Sequence, residues 1–146
     1  MKREMKLAVV VWIVLSLGGW ARGGEPFLRI PESDRAILAK VAAEYELSGD
    51  SKRLLLAIRL IENGPPGMEM GVMIPASQRF KGHHAKSLEL QAQYAAGTIK
   101  RRFTGNLAEF AERWAPRNAE NDPKDLNRHW LSNARAILAP KNFARR

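Results

Sequence analysis

Apolar residues in this chain recur at intervals of three and four, the period of a helix buried along one face. Ile37, Leu38, Val41, Ala42 and Tyr45 make one such face behind Ser33 as an N-cap, and predict a helix running to about Glu46. Leu54, Leu55, Ile58 and Ile61 make a second, with Asp50 or Ser51 as its cap. Gly64, Pro65 and Pro66 stop it, because glycine suits a helix end and proline cannot continue one. Leu88, Ala92, Ala95, Ile99 and Phe103 predict a third helix over 87–103. Leu107, Phe110, Ala111 and Trp114 predict a fourth over 106–114. "DPKD" reads as the start of the last helix, with Asp122 as N-cap, Pro123 as first helical residue and Asp125 at the positive end of the dipole. Leu126, Trp130, Ala134 and Ile137 form its apolar face.

Between the second and third helices the periodicity stops for residues 64–85, "GPPGMEMGVMIPASQRFKGHHA", with room for one short strand or hairpin over Met70–Ile74. An irregular connection this long inside a small domain usually carries function. The expected fold is therefore mainly α: about five helices and one long glycine- and proline-containing loop.

The N-terminus follows a different grammar. Lys2, Arg3 and Lys6 precede an apolar run of 11 residues, Leu7–Leu17, and Gly19 and Ala21 suit the −3 and −1 positions of a cleavage after Ala21. That is the layout of a secretory signal peptide. The run falls short of the about 20 apolar residues of a membrane span, so a membrane association would come only through an uncleaved signal segment. The expected organisation is a signal peptide over 1–21, a linker over 22–32 and one domain over 33–146, exported to the periplasm, cell envelope or exterior of a bacterium. The mature chain of 125 residues holds no cysteine and so relies on apolar packing. Residues 1–21 contribute +2 of the net charge of +9, leaving +7 on the mature domain. A basic exported domain favours anionic polymers, although the charge is dispersed and no nucleic-acid motif accompanies it.

One residue stands out against the helix pattern. Glu62 closes the second helix, where the negative end of the dipole disfavours a carboxylate and holds the proton on it. A carboxyl that keeps its proton near neutral pH is suited to general acid catalysis. Directly after it, Gly64, Gly67 and Gly71 form a loop able to approach a flat ligand closely. His83 and His84 read as a solvated loop pair, since no third ligand is spaced for a metal, and no metal or cofactor is expected. Trp114 and Trp130, at helical spacing, read as core residues, and Asn127 as a helix residue near a turn, placed to bind an acetamido group.

These residues resemble the lysozyme-like superfamily, particularly the soluble lytic transglycosylases and bacterial glucosaminidases. In those proteins an apolar helix ends in "E-S-G", and a segment of the form "G-x-M-G-L-M-Q" follows. Glu62-Asn63-Gly64 is similar to the first element with Asn for Ser, and Glu69-Met70-Gly71-Val72-Met73 to the second, with Ile74 where the family has Gln. The resemblance spans roughly residues 33–138. It implies cleavage of the β-1,4 bond between amino sugars of peptidoglycan by a monomer, with Glu62 as general acid and base. Gly64, Glu69, Gly71, Met73, Tyr94 and Asn127 are the substrate-binding candidates it suggests. A hydrolase of glucosaminidase or muramidase type would need a second group, for which Glu69, Glu120, Asp122 and Asp125 are available; a lytic transglycosylase would not. The alternatives are a non-catalytic glycan-binding module of the same fold and a basic helical adaptor of the envelope.

Overall fold

A computed structural model describes residues 26–72 and 82–139. The fold is mainly helical. In chain order, α1 spans Glu32–Glu44, α2 Gly49–Glu62, α3 His84–Arg102, α4 Leu107–Trp114 and α5 Trp130–Leu138. α2 is the central element and packs against α1, α3 and α5; α1 lies along α3, and α4 against α5. The reason is in its sequence: Leu54, Leu55, Ala57, Ile58 and Ile61 are all buried, a wider apolar face than a helix with one neighbour needs. Leu38, Val41 and Ala42 of α1, Leu88, Ala92, Ala95 and Ala96 of α3, and Ala134 and Ile137 of α5 close the core around it.

Some helix ends depart from expectation by a few residues, and one departure has a clear cause. The start of α4 follows the sequence: Asn106 caps it, its Oδ1 accepting the Glu109 backbone N–H at 3.1 Å. The last helix starts later than "DPKD" suggests. Asp122 does cap, but its oxygens accept the N–H groups of Leu126 and Asn127 at 2.9 and 2.7 Å, beyond the expected first turn. Residues 122–125 form a turn closed by the Asp125 N–H on the Asp122 carbonyl, and Asp125 sits at φ +50°, which no right-handed helix allows. A 3₁₀ turn over Leu126–His129 then leads into α5.

The expected linker is partly core. Pro26–Arg29 form a 3₁₀ turn against α2, with Phe27 and Ile30 buried three residues apart. Among the described residues there is no strand: Met70 lies in a turn, and Gly71 and Val72 have no regular structure. Ile74 and the rest of the expected strand, like the signal segment over 1–21, lie outside the described residues. No helix among the described residues is long and apolar enough to cross a membrane.

Candidate active site

Glu62 is the last residue of α2, and the chain leaves the helix through Asn63 in the left-handed conformation at φ +33°. Its side chain is only partly covered, at the edge of the core. Two indoles reach it. The Nε1–H groups of Trp114, from the end of α4, and of Trp130, from the start of α5, both donate to Glu62 Oε1 at 2.9 Å. These bonds use both lone pairs of Oε1, so the proton of the neutral acid resides on Oε2.

The indoles are held by their own packing. Phe110 stacks on Trp114 with ring centroids 5.7 Å apart and an interplanar angle of 17°, and its other neighbours are Trp130 at 6.1 Å and the edge-on Phe103 at 5.9 Å. The loop between α4 and α5 fixes the spacing of the two tryptophans. Asn127 Nδ2 donates to the Pro116 carbonyl at 2.9 Å, so this loop is stitched back onto the end of α4. The amide read as a ligand for substrate thus ties down a turn.

The second wall is Gly71, at φ +65°. A Cβ there would stand 2.6 Å from the Glu62 carboxyl carbon and would meet Oε2 first. Only glycine allows the chain to lie so close to Glu62 Oε2. Gly64 is needed for a different reason: a Cβ on it would run into the Met68 carbonyl, so the turn from Gly64 to Glu69 closes on itself. Both glycines therefore accommodate close approach within the protein.

Burial pushes the Glu62 carboxyl above its ordinary pKa, and the two indole hydrogen bonds, which favour the charged form, offset part of this. The carboxyl is thus clamped on one oxygen, and in its neutral form it gives its proton from the other.

Replacing Trp114 or Trp130 by Phe removes one of the bonds that favour the ionised form. The Glu62 pKa is then expected to rise further in either variant, read by carboxyl ¹³C titration, at a cost of about 1 kcal/mol in urea unfolding. Gly71→Ala is expected to lose about 1–2 kcal/mol from the left-handed backbone alone and to displace the carboxyl. The check is a lowered urea midpoint together with a shifted Glu62 carboxyl resonance.

The remaining candidates fall elsewhere. Glu69 is buried at 4% exposure with both oxygens engaged: Oε1 accepts the Gly67 N–H at 3.0 Å and faces His84 Nδ1 at 3.2 Å, and Oε2 accepts from Gln91 Nε2 at 2.6 Å. It holds the loop to α3. Tyr94 is exposed on α3, one turn beyond Gln91. Met73 lies outside the described residues.

His84, expected in a solvated loop, is the first residue of α3, and its second nitrogen, Nε2, stands 2.7 Å from Asp34 Oδ1. His84 bridges Asp34 and Glu69, and among the described residues no group of three His, Cys, Asp or Glu side chains is arranged to hold a metal ion. Sequence reasoning missed the indole donors. The available signal was that a tryptophan on a core face brings an N–H needing an acceptor. Glu62 is the acid at the end of the apolar face of α2.

Comparison with known proteins identifies no relative: no family model matches the chain, and neither the curated proteins nor the solved structures include a match.

Proposed function

We propose that the domain is an exported, lysozyme-like enzyme that cleaves the β-1,4 bond between amino sugars of peptidoglycan, with Glu62 as general acid and then base. The observation that carries this reading is the carboxyl itself: raised in pKa by burial, fixed through Oε1 by two indoles, and presenting Oε2, the oxygen left for the proton of its neutral form, beside a glycine. The resemblance of Glu62-Asn63-Gly64 and of the glycine segment after it to the lytic transglycosylases adds to this, as do the signal-like N-terminus and the basic mature domain.

In the proposed reaction Glu62 gives its Oε2 proton to the glycosidic oxygen as the bond to the anomeric carbon breaks, and an oxocarbenium-like centre forms. The Glu62 carboxylate then accepts a proton from the attacking hydroxyl. Two of the candidate second carboxylates are committed elsewhere, Glu69 to Gly67, Gln91 and His84, and Asp122 to Leu126 and Asn127. This favours the transglycosylase route, in which the sugar's own 6-hydroxyl closes an anhydro ring, no water is consumed and one carboxyl serves twice. No cofactor or metal takes part in this reaction, and the enzyme works as a monomer on glycan strands.

Digestion of purified peptidoglycan, with soluble fragments read by mass spectrometry, tests the reading. Released fragments lighter by one water than hydrolytic products are expected. Failure to release fragments from walls of several types by the folded protein would leave a glycan-binding module as the better account.

A further inference from the structure

A chain of polar groups, most of them buried, lies outside the reacting carboxyl and joins the two segments that flank it. On one side, residues 67–70 are fastened to α3: Glu69 binds the Gly67 N–H and Gln91, and the Gln91 Oε1 accepts the Met70 N–H at 3.0 Å. Gly71, which lies on the Glu62 carboxyl, follows immediately. On the other side, the buried Asp34 of α1 accepts through Oδ2 from Arg59 Nε and Nη2 at 3.2 and 2.9 Å, and Arg59 Nη1 donates to Asn63 Oδ1 at 3.2 Å. Asn63 is the residue next to Glu62. His84 closes the circuit between the halves, with one ring nitrogen on Glu69 and the other on Asp34. A histidine donating to two carboxylates at once must carry both ring protons, so the closed circuit contains an imidazolium.

We propose that Glu69, His84 and Asp34 are positioning residues that hold the Gly67–Gly71 segment over the Glu62 carboxyl. This rests on the reading of Glu62 as the reacting acid. The cluster has an economical structural logic. Asp34, Arg59, Glu69 and Gln91 are all at most 9% exposed, whereas the His84 side chain is half exposed. His84 is therefore the titratable member of the circuit in contact with solvent. The charged groups facing it are Asp34 from α1, with Arg59 of α2 behind it, and Glu69 from the loop. On α3 itself Ser87 and Gln91 are uncharged, and the neighbouring His83 and Lys86 are exposed. The hydrogen bond to Asp34, then the charges of Asp34 and Glu69, outweigh burial and hold the His84 pKa above its ordinary value. The circuit is thus complete where Asp34 is ionised and His84 protonated, and opens as pH rises through that raised His84 pKa.

Amide hydrogen exchange at Met70, whose N–H ends on Gln91, reads the segment directly, without substrate. In the parent, protection is expected to fall as pH rises through the His84 titration, after correction for intrinsic exchange. His84→Ala should exchange about tenfold faster at Met70 near neutral pH, with the core helices still protected. His84→Lys keeps a cation between the two carboxylates and should hold its protection to higher pH than the parent. On peptidoglycan, His84→Ala should lose about tenfold in kcat with KM little changed.

Unchanged Met70 protection in His84→Ala would overturn the proposal, as would the same pH dependence in His84→Lys as in the parent. Loosened Met70 with undiminished cleavage would also overturn it. Should the parent cleave no glycan, the catalytic reading fails, and the exchange results still decide whether the circuit holds the segment.

Discussion

Glu62→Gln is expected to lower the rate of glycan cleavage by about 10²–10⁴-fold while leaving the fold intact. The amide keeps an oxygen that accepts from the Trp114 and Trp130 indoles, so the clamp on Oε1 survives. What is lost is the transferable proton on the other atom. The same substitution has a consequence for stability. Because burial raises the Glu62 pKa, the folded state holds the proton more tightly than the unfolded chain. The stability contributed by that group is therefore present below the ordinary glutamate pKa and falls as pH rises through the raised folded value. Glutamine does not ionise, so Glu62→Gln should be more stable than the parent at the alkaline end of this window. Urea unfolding across pH, beside fragment release, checks both halves: activity down, stability up. That opposition marks a group kept for chemistry.

Asp34→Ala is expected to cost about 3–5 kcal/mol, because it leaves the buried Arg59 guanidinium without its carboxylate. Asn63 would remain as a neutral partner of Arg59. Although burial opposes ionisation of Asp34, the hydrogen bonds from His84 and Arg59, together with their charges, win and hold its pKa below the usual value. Stability from a lowered carboxyl is present above its unfolded pKa and lost as pH falls through the folded one. Stability from the raised His84 is present below its unfolded pKa and lost as pH rises through the folded one. The two together give a plateau between about pH 4 and 6.5, the ordinary values for these groups. The Asp34→Ala protein should lie below the parent on that plateau and converge toward it on both flanks, as read by urea midpoints.

Much of this architecture is legible from local pattern. The apolar faces of α2 and α3 predict their own burial, Asn106 is a cap by residue type and position, and Glu62 is conspicuous as an acid at the negative end of a helix. What escapes is what depends on partners distant in sequence. Asp122 looks like the start of an α-helix, and nothing in "DPKD" announces that Asp125 will turn left-handed and delay the helix to Trp130. Trp114 and Trp130 have the spacing of core residues and are packed as such, yet their N–H groups converge on an oxygen 52 and 68 residues away.

The polar circuit left a fainter mark. Asp34, Arg59 and Gln91 fall on faces otherwise lined by Leu38, Ile58 and Leu88, a local conflict that signals a buried network rather than a weak helix. His84 carries no such mark, being recognisable only once Asp34 and Glu69 are placed on either side of it.

Direct titration of the Glu62 carboxyl, by ¹³C chemical shift in the parent with Glu62→Gln to assign the resonance, tests most closely the claim that the site is built around a carboxyl that keeps its proton. The account predicts a midpoint above the ordinary glutamate range, moving higher still in Trp114→Phe and Trp130→Phe. A midpoint at or below that range would contradict it, because the indole bonds would then be holding a carboxylate with no proton to give.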